Sequence, residues 1–188
     1  LKSASGLVGT EGAKLHERIA SGKMVSGDFM SVVMEKALKV AESNACMKRI
    51  VAAPTAGSCG VVPAVFLSAQ EKFGFAEDRV VEALYVAAGI GGVIASRAFL
   101  AGAEGGCQAE IGSASAMAAG GMTYLLGGNA QEICQASALA LKGLLGLACD
   151  PVAGLVEVPC VKRNVLGAVN AITSSDLAMA GFCSRIPP

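Results

Sequence analysis

The stretch that decides the fold is IGSASAMAAGGMTYLLGGNAQ, residues 111–131, which runs for 21 residues without a charged side chain. It is long enough to cross a membrane. It also contains two serines, a threonine and five glycines, and a buried core helix has the same hydropathy as a membrane helix. We therefore predict a buried helix over 108–126, and no membrane-spanning segment.

Apolar residues recur with helical spacing on both sides of this stretch. Further helices are predicted at 11–21, 27–44, 61–73, 79–101, 130–148 and 161–182. Ser26 and Asp78 are the expected caps of two of them. Only 49–53 has the composition of a short strand, and no stretch alternates with a period of two. The sequence therefore predicts an all-α fold, a globular helical bundle with its functional site built on loops.

Two interruptions separate these helices. Gly127-Gly128-Asn129 is a break between two apolar helices. Residues 150–160 contain two prolines and a glycine, and we expect a loop there. No linker or internal repeat divides the chain, so residues 1–188 are predicted to form a single all-helical domain.

The composition limits the classes of partner. Fifteen basic and fifteen acidic side chains give a net charge of zero, which is unfavourable for binding nucleic acid or an anionic membrane. Charged residues are only 16% of the chain, and 34 alanines and 24 glycines account for much of its mean hydropathy of +0.57. So few charges cover a small surface, and we expect a partner and an oligomer. Leu1 is not Met and no segment has the pattern of a secretory signal, which predicts a fragment of a cytoplasmic protein.

The seven cysteines are the most informative residues. An odd number without a signal peptide argues against a disulfide framework, and a single histidine, His16, argues against mixed Cys/His zinc sites. The ordinary alternative for any one of them is a small buried side chain. We hold to that alternative for three that lie in predicted helices or at their ends, Cys46, Cys134 and Cys183.

Three other cysteines lie where helices and loops meet: Cys107, Cys149 and Cys160. Backbone N–H groups are free at such junctions and hydrogen-bond thiolate or sulfide. Three soft thiolates without histidine favour an iron–sulfur cluster. Three ligands on a cubane leave one iron open for Lewis-acid chemistry.

A loop rich in glycine and hydroxyl groups, APTAGSCG at 53–60, enters a predicted helix. Its N–H groups and hydroxyls would cradle a carboxylate or phosphate, although an ordinary helix-entry turn has the same composition. It lacks the lysine of a nucleotide P-loop. The expected substrate-binding residues here are Thr55, Gly57 and Ser58. Ser113 and Ser115, which follow Cys107 closely, are further candidates.

Taken together, these residues resemble the iron–sulfur-dependent L-serine dehydratases, in their α subunit or C-terminal catalytic domain. The resemblance covers about residues 24–187 and is densest in APTAGSCGVVPAV (53–65), GCQAEIGSASAMAA (106–119), ACDPVAGLVEVPCVKRN (148–164) and SSDLAMAG (174–181). It implies a [4Fe-4S] cluster on Cys107, Cys149 and Cys160. The implied reaction converts L-serine to pyruvate and ammonia, as in amino-acid degradation and gluconeogenesis, without pyridoxal phosphate.

Two departures from this family matter. Its chemistry also uses a β subunit or N-terminal β domain with a Ser-Ser-Ser-His-Thr stretch, which is absent here, as is the family's C-terminal tail. The catalytic base is therefore unknown and expected from the β partner. Two alternatives stay open: an L-cysteine desulfidase-like lyase, and a non-catalytic helical module that buries its cysteines.

Overall fold

The computed structural model describes residues 1–49, 51–155 and 157–186. Within these ranges the chain forms helices and no strand, apart from one isolated bridge between Val152 and Leu155. The predicted all-α class is confirmed. The helices are α1 (Glu11–Ala20), α2 (Gly27–Ala45), α3 (Val61–Phe73), α4 (Glu77–Arg97), the single turn α5 (Gly102–Gly105), α6 (Cys107–Leu125), α7 (Ala130–Gly143) and α8 (Val158–Met179).

Helix α6 is the core of the bundle, and most of its residues are buried on every side. It packs against α3, α4, α7 and α8, whereas α2 packs on α3 and α8, and α1 lies outside on α2. Glycine is required where neighbours approach most closely. A Cβ at Gly120 would lie 2.2 Å from Ile90 Cδ1, and one at Gly121 would lie 2.2 Å from Phe66 Cζ. The small side chains therefore let the surrounding helices meet α6 closely.

The break at 127–129 is confirmed and has a clear physical basis. Gly127 adopts a positive φ of 86°. Asn129 accepts a hydrogen bond from the Glu132 backbone N–H, while the Glu132 carboxylate accepts one from the Asn129 N–H. This reciprocal capping box satisfies two donors at the start of α7.

Several predicted helix ends and caps are wrong. Helix α4 ends at Arg97 rather than at residue 101, and Asp78 lies in its first turn, since Ala76 is the N-cap. Ser26 makes no side-chain cap to α2. Helix α8 begins within the predicted loop because Pro159, which has no N–H to leave unpaired, fits its first turn.

The possible strand at 49–53 does not form in the residues that are described there; Ile50 lies outside them. One helix of the described chain, α4, is long and apolar enough to cross a membrane by length and composition. It is nevertheless packed along one side on α6 through Ala83, Ala87 and Gly91.

Candidate functional site

The candidate site forms where two helices begin, at the first turns of α6 and α8. Cys107 is the first residue of α6 and Cys160 lies in the first turn of α8. One oxygen of Glu110 and the sulfurs of these two cysteines all lie within 4.8 Å of one another. Helices α6 and α8 pack together along their lengths, which explains why residues 53 positions apart in sequence meet.

The segment before Cys149 is tied to the same end of α6. The Gln108 N–H donates a hydrogen bond of 2.8 Å to the Leu147 carbonyl, and the Gly146 N–H donates one of 2.8 Å to Gln108 Oε1. Cys149 itself is exposed. It lies near enough that its negative form contributes to raising the pKa of both Cys107 and Cys160.

An arginine lies against these thiols. Arg163 Nη1 is 3.0 Å from the Cys107 sulfur, and the same guanidinium forms an ion pair with Asp150. Burial raises the pKa of Cys107, and the nearby positive charge of Arg163 opposes that rise. Burial, together with the charge of Cys107, raises the pKa of Cys160 to about 12. The site therefore combines buried thiols with a cation that favours their thiolate form.

The loop at 53–60 presents unpaired backbone donors at the N-terminus of α3. The N–H groups of Ala56, Gly57 and Ser58 donate to no acceptor among the residues that the structure describes. Free N–H groups in a loop that leads into a helix are donors suited to an anion. The anion cradle expected from the sequence stays a prediction.

Asn164 holds this loop against the start of α8. It is fully buried, and its Oδ1 accepts a hydrogen bond of 2.7 Å from the Gly60 N–H. Its Nδ2 donates to the carbonyls of Gly57 and Cys160, at 2.8 and 2.7 Å. One amide side chain thus fixes the loop relative to a candidate metal ligand.

Gly57 faces the carboxylate of Glu110. A Cβ at position 57 would lie 3.1 Å from both Glu110 oxygens, and one at Gly102 would lie 2.6 Å from Oε2. Gly57 does not have a positive φ. The Glu110 carboxylate occupies the space beside it, so a side chain at position 57 would displace that carboxylate.

A cavity of about 340 Å³ lies beside these groups. Its lining includes Gly57, Cys160 and Asn164, and also Asn44, whose Nδ2 donates a hydrogen bond of 2.7 Å to the Ala56 carbonyl. The cavity therefore brings together the loop and one candidate ligand. It is large enough for a small amino acid.

The four predicted hydroxyl groups differ in what they contact. Thr55 Oγ1 lies 3.1 Å from Ser58 Oγ, and Ser58 is fully buried with contacts inside the loop. Ser115 donates to the Gly167 carbonyl and so connects α6 to α8. Ser113 is buried and has no hydrogen-bond partner among the described residues. It lines a different cavity, with Phe99 and Leu145 among its other residues. Thr55 and Ser58 thus belong to the loop, and the structure does not bring Ser113 and Ser115 to the group of thiols.

Sequence reasoning missed Glu110 and Asn44, and it marked Asn164 only within the polar run Lys162-Arg163-Asn164. Glu110 had a usable signal, because the spacing Cys107-x-x-Glu110 places both residues on one face of a helix. Asn164 had a weaker one, as part of the polar run at 162–164. Asn44 had no signal in the sequence, because it lies near the end of α2 and belongs to none of the motifs.

The remaining cysteines lie outside this group, although not all are buried as expected. Cys46 and Cys59 are buried, whereas Cys134 and Cys183 are exposed. Cys183 follows the end of α8 instead of lying in it. The expected burial is therefore confirmed for Cys46 and wrong for Cys134 and Cys183. The expected helical position is confirmed for Cys134 and wrong for Cys183.

The donor set fits an iron–sulfur cluster. Two sulfurs converge with a cation 3.0 Å from one of them, a third cysteine lies on the adjoining segment, and His16 is on α1, paired with Glu35. Soft thiolates without imidazole are the ligands that iron–sulfur clusters use. No disulfide joins any of the seven cysteines.

The chain is similar to known proteins over most of its length. The family model described as serine dehydratase alpha chain matches residues 1–188. The probable L-serine dehydratase alpha chain of Bacillus subtilis (strain 168) is 48% identical over 185 residues, which cover 98% of this chain and 62% of that protein. The L-serine dehydratase alpha chain of Peptoniphilus asaccharolyticus is 47% identical over 174 residues, which cover 93% of this chain and 60% of that protein.

A longer relative shows the same likeness. L-serine dehydratase TdcG of Escherichia coli (strain K12) is 44% identical over 170 residues, which cover 88% of this chain and 37% of that protein. The chain thus spans about three fifths of the two alpha chains and a little over a third of the longer protein.

Proposed function

Because this chain belongs to the serine dehydratase alpha chain family, we propose that the complete protein eliminates water from L-serine and releases pyruvate and ammonia. The observation that carries the proposal is the cavity in which the loop at 53–60 adjoins Cys160. The loop that we propose to bind an anion and a thiol that we propose to bind a metal face the same small space there. That is what elimination from a hydroxy amino acid requires.

The thiols of Cys107, Cys149 and Cys160 are proposed to hold a [4Fe-4S] cluster. When bound, such a cluster with one iron free of protein ligands supplies a Lewis acid that makes hydroxide a better leaving group. Arg163 stabilises the thiolate form of Cys107, because its guanidinium donates to that sulfur. Asn164 sets the position of the turn that carries Cys160.

The loop is proposed to bind the carboxylate of serine through the free N–H groups of residues 56–58. Glu110 lies across from Gly57 and provides a negative charge that would bind the substrate's ammonium group. These contacts orient the α-hydrogen and the hydroxyl of serine. Orientation of this kind contributes to the rate by reducing the entropy lost in reaching the transition state.

The base that removes the α-hydrogen is proposed to come from a β chain or β domain. The one histidine of this chain, His16, is exposed on α1 and forms a hydrogen bond of 2.8 Å with Glu35. It lines a separate cavity with Lys39 and Glu42. The activity of this chain therefore requires a companion that completes the site.

The proposal is tested with the complete protein, reconstituted anaerobically with iron and sulfide and combined with its β companion. We expect iron and sulfide to bind, and pyruvate to form from L-serine only when the β companion is present. L-Cysteine is assayed alongside, since faster release of sulfide and pyruvate would favour the desulfidase alternative. Cys134→Ser is the control for serine variants of the three candidate ligands, because Cys134 is exposed and outside the site. Absence of turnover with both substrates in an iron-loaded complex would contradict the proposal.

A further inference from the structure

The outer side of α4 is an apolar surface that no described part of the chain covers. Tyr85 is 76% exposed and Val93 58% exposed, and the other members of the surface are Val81, Leu84, Ala88, Gly89 and Gly92. We call these seven residues the α4 face. They recur at spacings of three and four, so they form one continuous stripe on the helix. Single exposed apolar residues are ordinary, but a stripe along three turns indicates an interaction surface.

The α4 face is complementary to itself when two copies run antiparallel. If the two-fold axis passes between residues 88 and 89, each residue of one copy faces a residue of the other copy, and the two residue numbers add up to 177. Tyr85 then lies opposite Gly92 of the other copy, and Leu84 opposite Val93. A bulky ring faces a residue without a side chain, and two medium side chains face each other, which permits close helix packing.

The charges at the ends of α4 are complementary in the same arrangement. Asp78 near the start and Arg97 at the end are both exposed, and neither forms an ion pair with any residue that the structure describes. In the antiparallel register Arg97 lies opposite residue 80 of the other copy, two residues or about 3 Å along the axis from Asp78. Two such pairs form by symmetry. The opposed helix dipoles also favour this direction.

We propose that the α4 face is the contact between two copies of this chain, paired antiparallel about a two-fold axis at residues 88 and 89. A self-complementary surface of this kind is what a two-fold interface requires. The candidate metal site lies at the starts of α6 and α8 and is not part of this surface. The proposal does not depend on the proposed function.

A lipid bilayer is the less favourable occupant. The first turns of α4 carry Glu77, Asp78 and Arg79, followed by Glu82. Its other side is buried on α6, where Gly91 leaves room for Met117, since a Cβ there would lie 2.9 Å from the sulfur. Moving α4 into a membrane would expose the apolar side of α6 to water.

The test is cross-linking of the complete protein, with its β companion present. Ala88→Cys places a thiol at the proposed axis, and a short bismaleimide should link position 88 of one copy to position 88 of another. Peptide mass spectrometry separates this product from links through the native exposed cysteines. Leu166→Cys is the control, because Leu166 is also an exposed apolar residue, 55% exposed, but lies on α8 and outside the α4 face. We expect the 88–88 link and no 166–166 link.

Charge reversal then tests the register. Residues 78 and 97 are 19 residues apart, about 28 Å along one helix, so they cannot meet within one copy. Arg97→Glu or Asp78→Arg alone should lower the yield of the 88–88 link roughly two- to fivefold, and the combination should restore it. Failure of the double variant to recover would overturn the antiparallel pairing. A link from position 88 to the β companion would overturn the proposal as a whole, and so would protection of the thiol at position 88 by lipid vesicles. Equal yields of the 88–88 and 166–166 links would also overturn it.

Discussion

Arg163 donates a hydrogen bond of 3.0 Å from Nη1 to the sulfur of Cys107, across 56 positions of sequence. The guanidinium is held in place by Asp150, which directly follows Cys149. A single cation thereby connects segments that carry all three candidate ligands, since Arg163 itself lies one turn after Cys160. The charge of this arginine favours thiolates, which are the form in which cysteine binds iron.

Replacing Arg163 should therefore weaken cluster binding. We expect Arg163→Met to lower iron affinity about ten- to a hundredfold, as is usual when a residue supporting a metal ligand is removed. Iron and sulfide content after anaerobic reconstitution, with the visible absorption of the cluster, measures this. Lys162→Met is the control, because Lys162 is the exposed neighbour. Equal iron content in the two variants would show that the arginine does not support the ligands.

The ligand assignment makes a separate prediction. Changing Cys107, Cys149 or Cys160 to Ser should remove most of the bound iron, because a serine oxygen is a poorer ligand for a soft iron–sulfur site. The same change at Cys46, Cys134 or Cys183 should leave the iron content near that of the unmodified protein. Loss of the cluster in Cys134→Ser together with its retention in Cys149→Ser would refute the assignment.

Much of the fold could be predicted from the sequence because its signals are local. The uncharged run at 111–131 identified a buried helix, and the Gly-Gly-Asn triplet identified the break before α7. The ends of helices were less predictable. The apolar pattern continues past Arg97, but the chain turns there into an extended residue, Ala98, and then a single helical turn at 102–105.

The site was predicted where chemistry is carried by rare residue types, and missed where it depends on tertiary contacts. Cysteines at helix starts stand out in any sequence. The serines of α6 do not reveal their orientation. Ser115 looked equivalent to Ser113, but its hydroxyl bonds the Gly167 carbonyl on α8. Asn44 reaches the loop from α2 only because those elements pack together.

Asn164 should affect both stability and the substrate site. Asn164→Ala leaves the Gly60 N–H and the carbonyls of Gly57 and Cys160 without their partner, and each buried unpaired group costs about 1–3 kcal/mol. We expect a lower free energy of unfolding, less bound iron and a raised KM for serine. Denaturant unfolding and steady-state kinetics measure these effects.

The control for that variant lies on the same helix. Asn170 donates to Ser115 and to the Ala140 carbonyl, so Asn170→Ala should also destabilise the protein. It does not contact the loop, and KM for serine should stay unchanged. A raised KM in both variants would mean that the effect of Asn164 is general destabilisation and not positioning of the loop.

Gly57 tests the geometry of the loop. Gly57→Ala adds a Cβ only 3.1 Å from both oxygens of Glu110, so the carboxylate must shift. Because this carboxylate is proposed to bind the ammonium group of serine, we expect kcat/KM for serine to fall about tenfold or more. Gly112→Ala on α6 is the control, since its Cβ would meet Leu141 Cδ2 at an ordinary 3.9 Å. Unchanged kinetics in Gly57→Ala would place the substrate away from this loop.

Cys59 provides a test of the packing beneath the loop that does not depend on activity. Its side chain is fully buried, with the sulfur 4.0 Å from the Val40 carbonyl, and burial raises its pKa to about 11. Because only the thiolate is alkylated, the folded protein should keep Cys59 protonated through the range near pH 9 in which an ordinary thiol ionises. At pH 8 its thiolate fraction should be about a hundredfold below that of an ordinary cysteine. Iodoacetamide labelling between pH 7 and 10, followed by peptide mass spectrometry, compares it with the exposed Cys134. Labelling of Cys59 as fast as Cys134 in the folded protein would mean that the start of α3 is open to solvent, and the anion-binding loop would lose its rigid support.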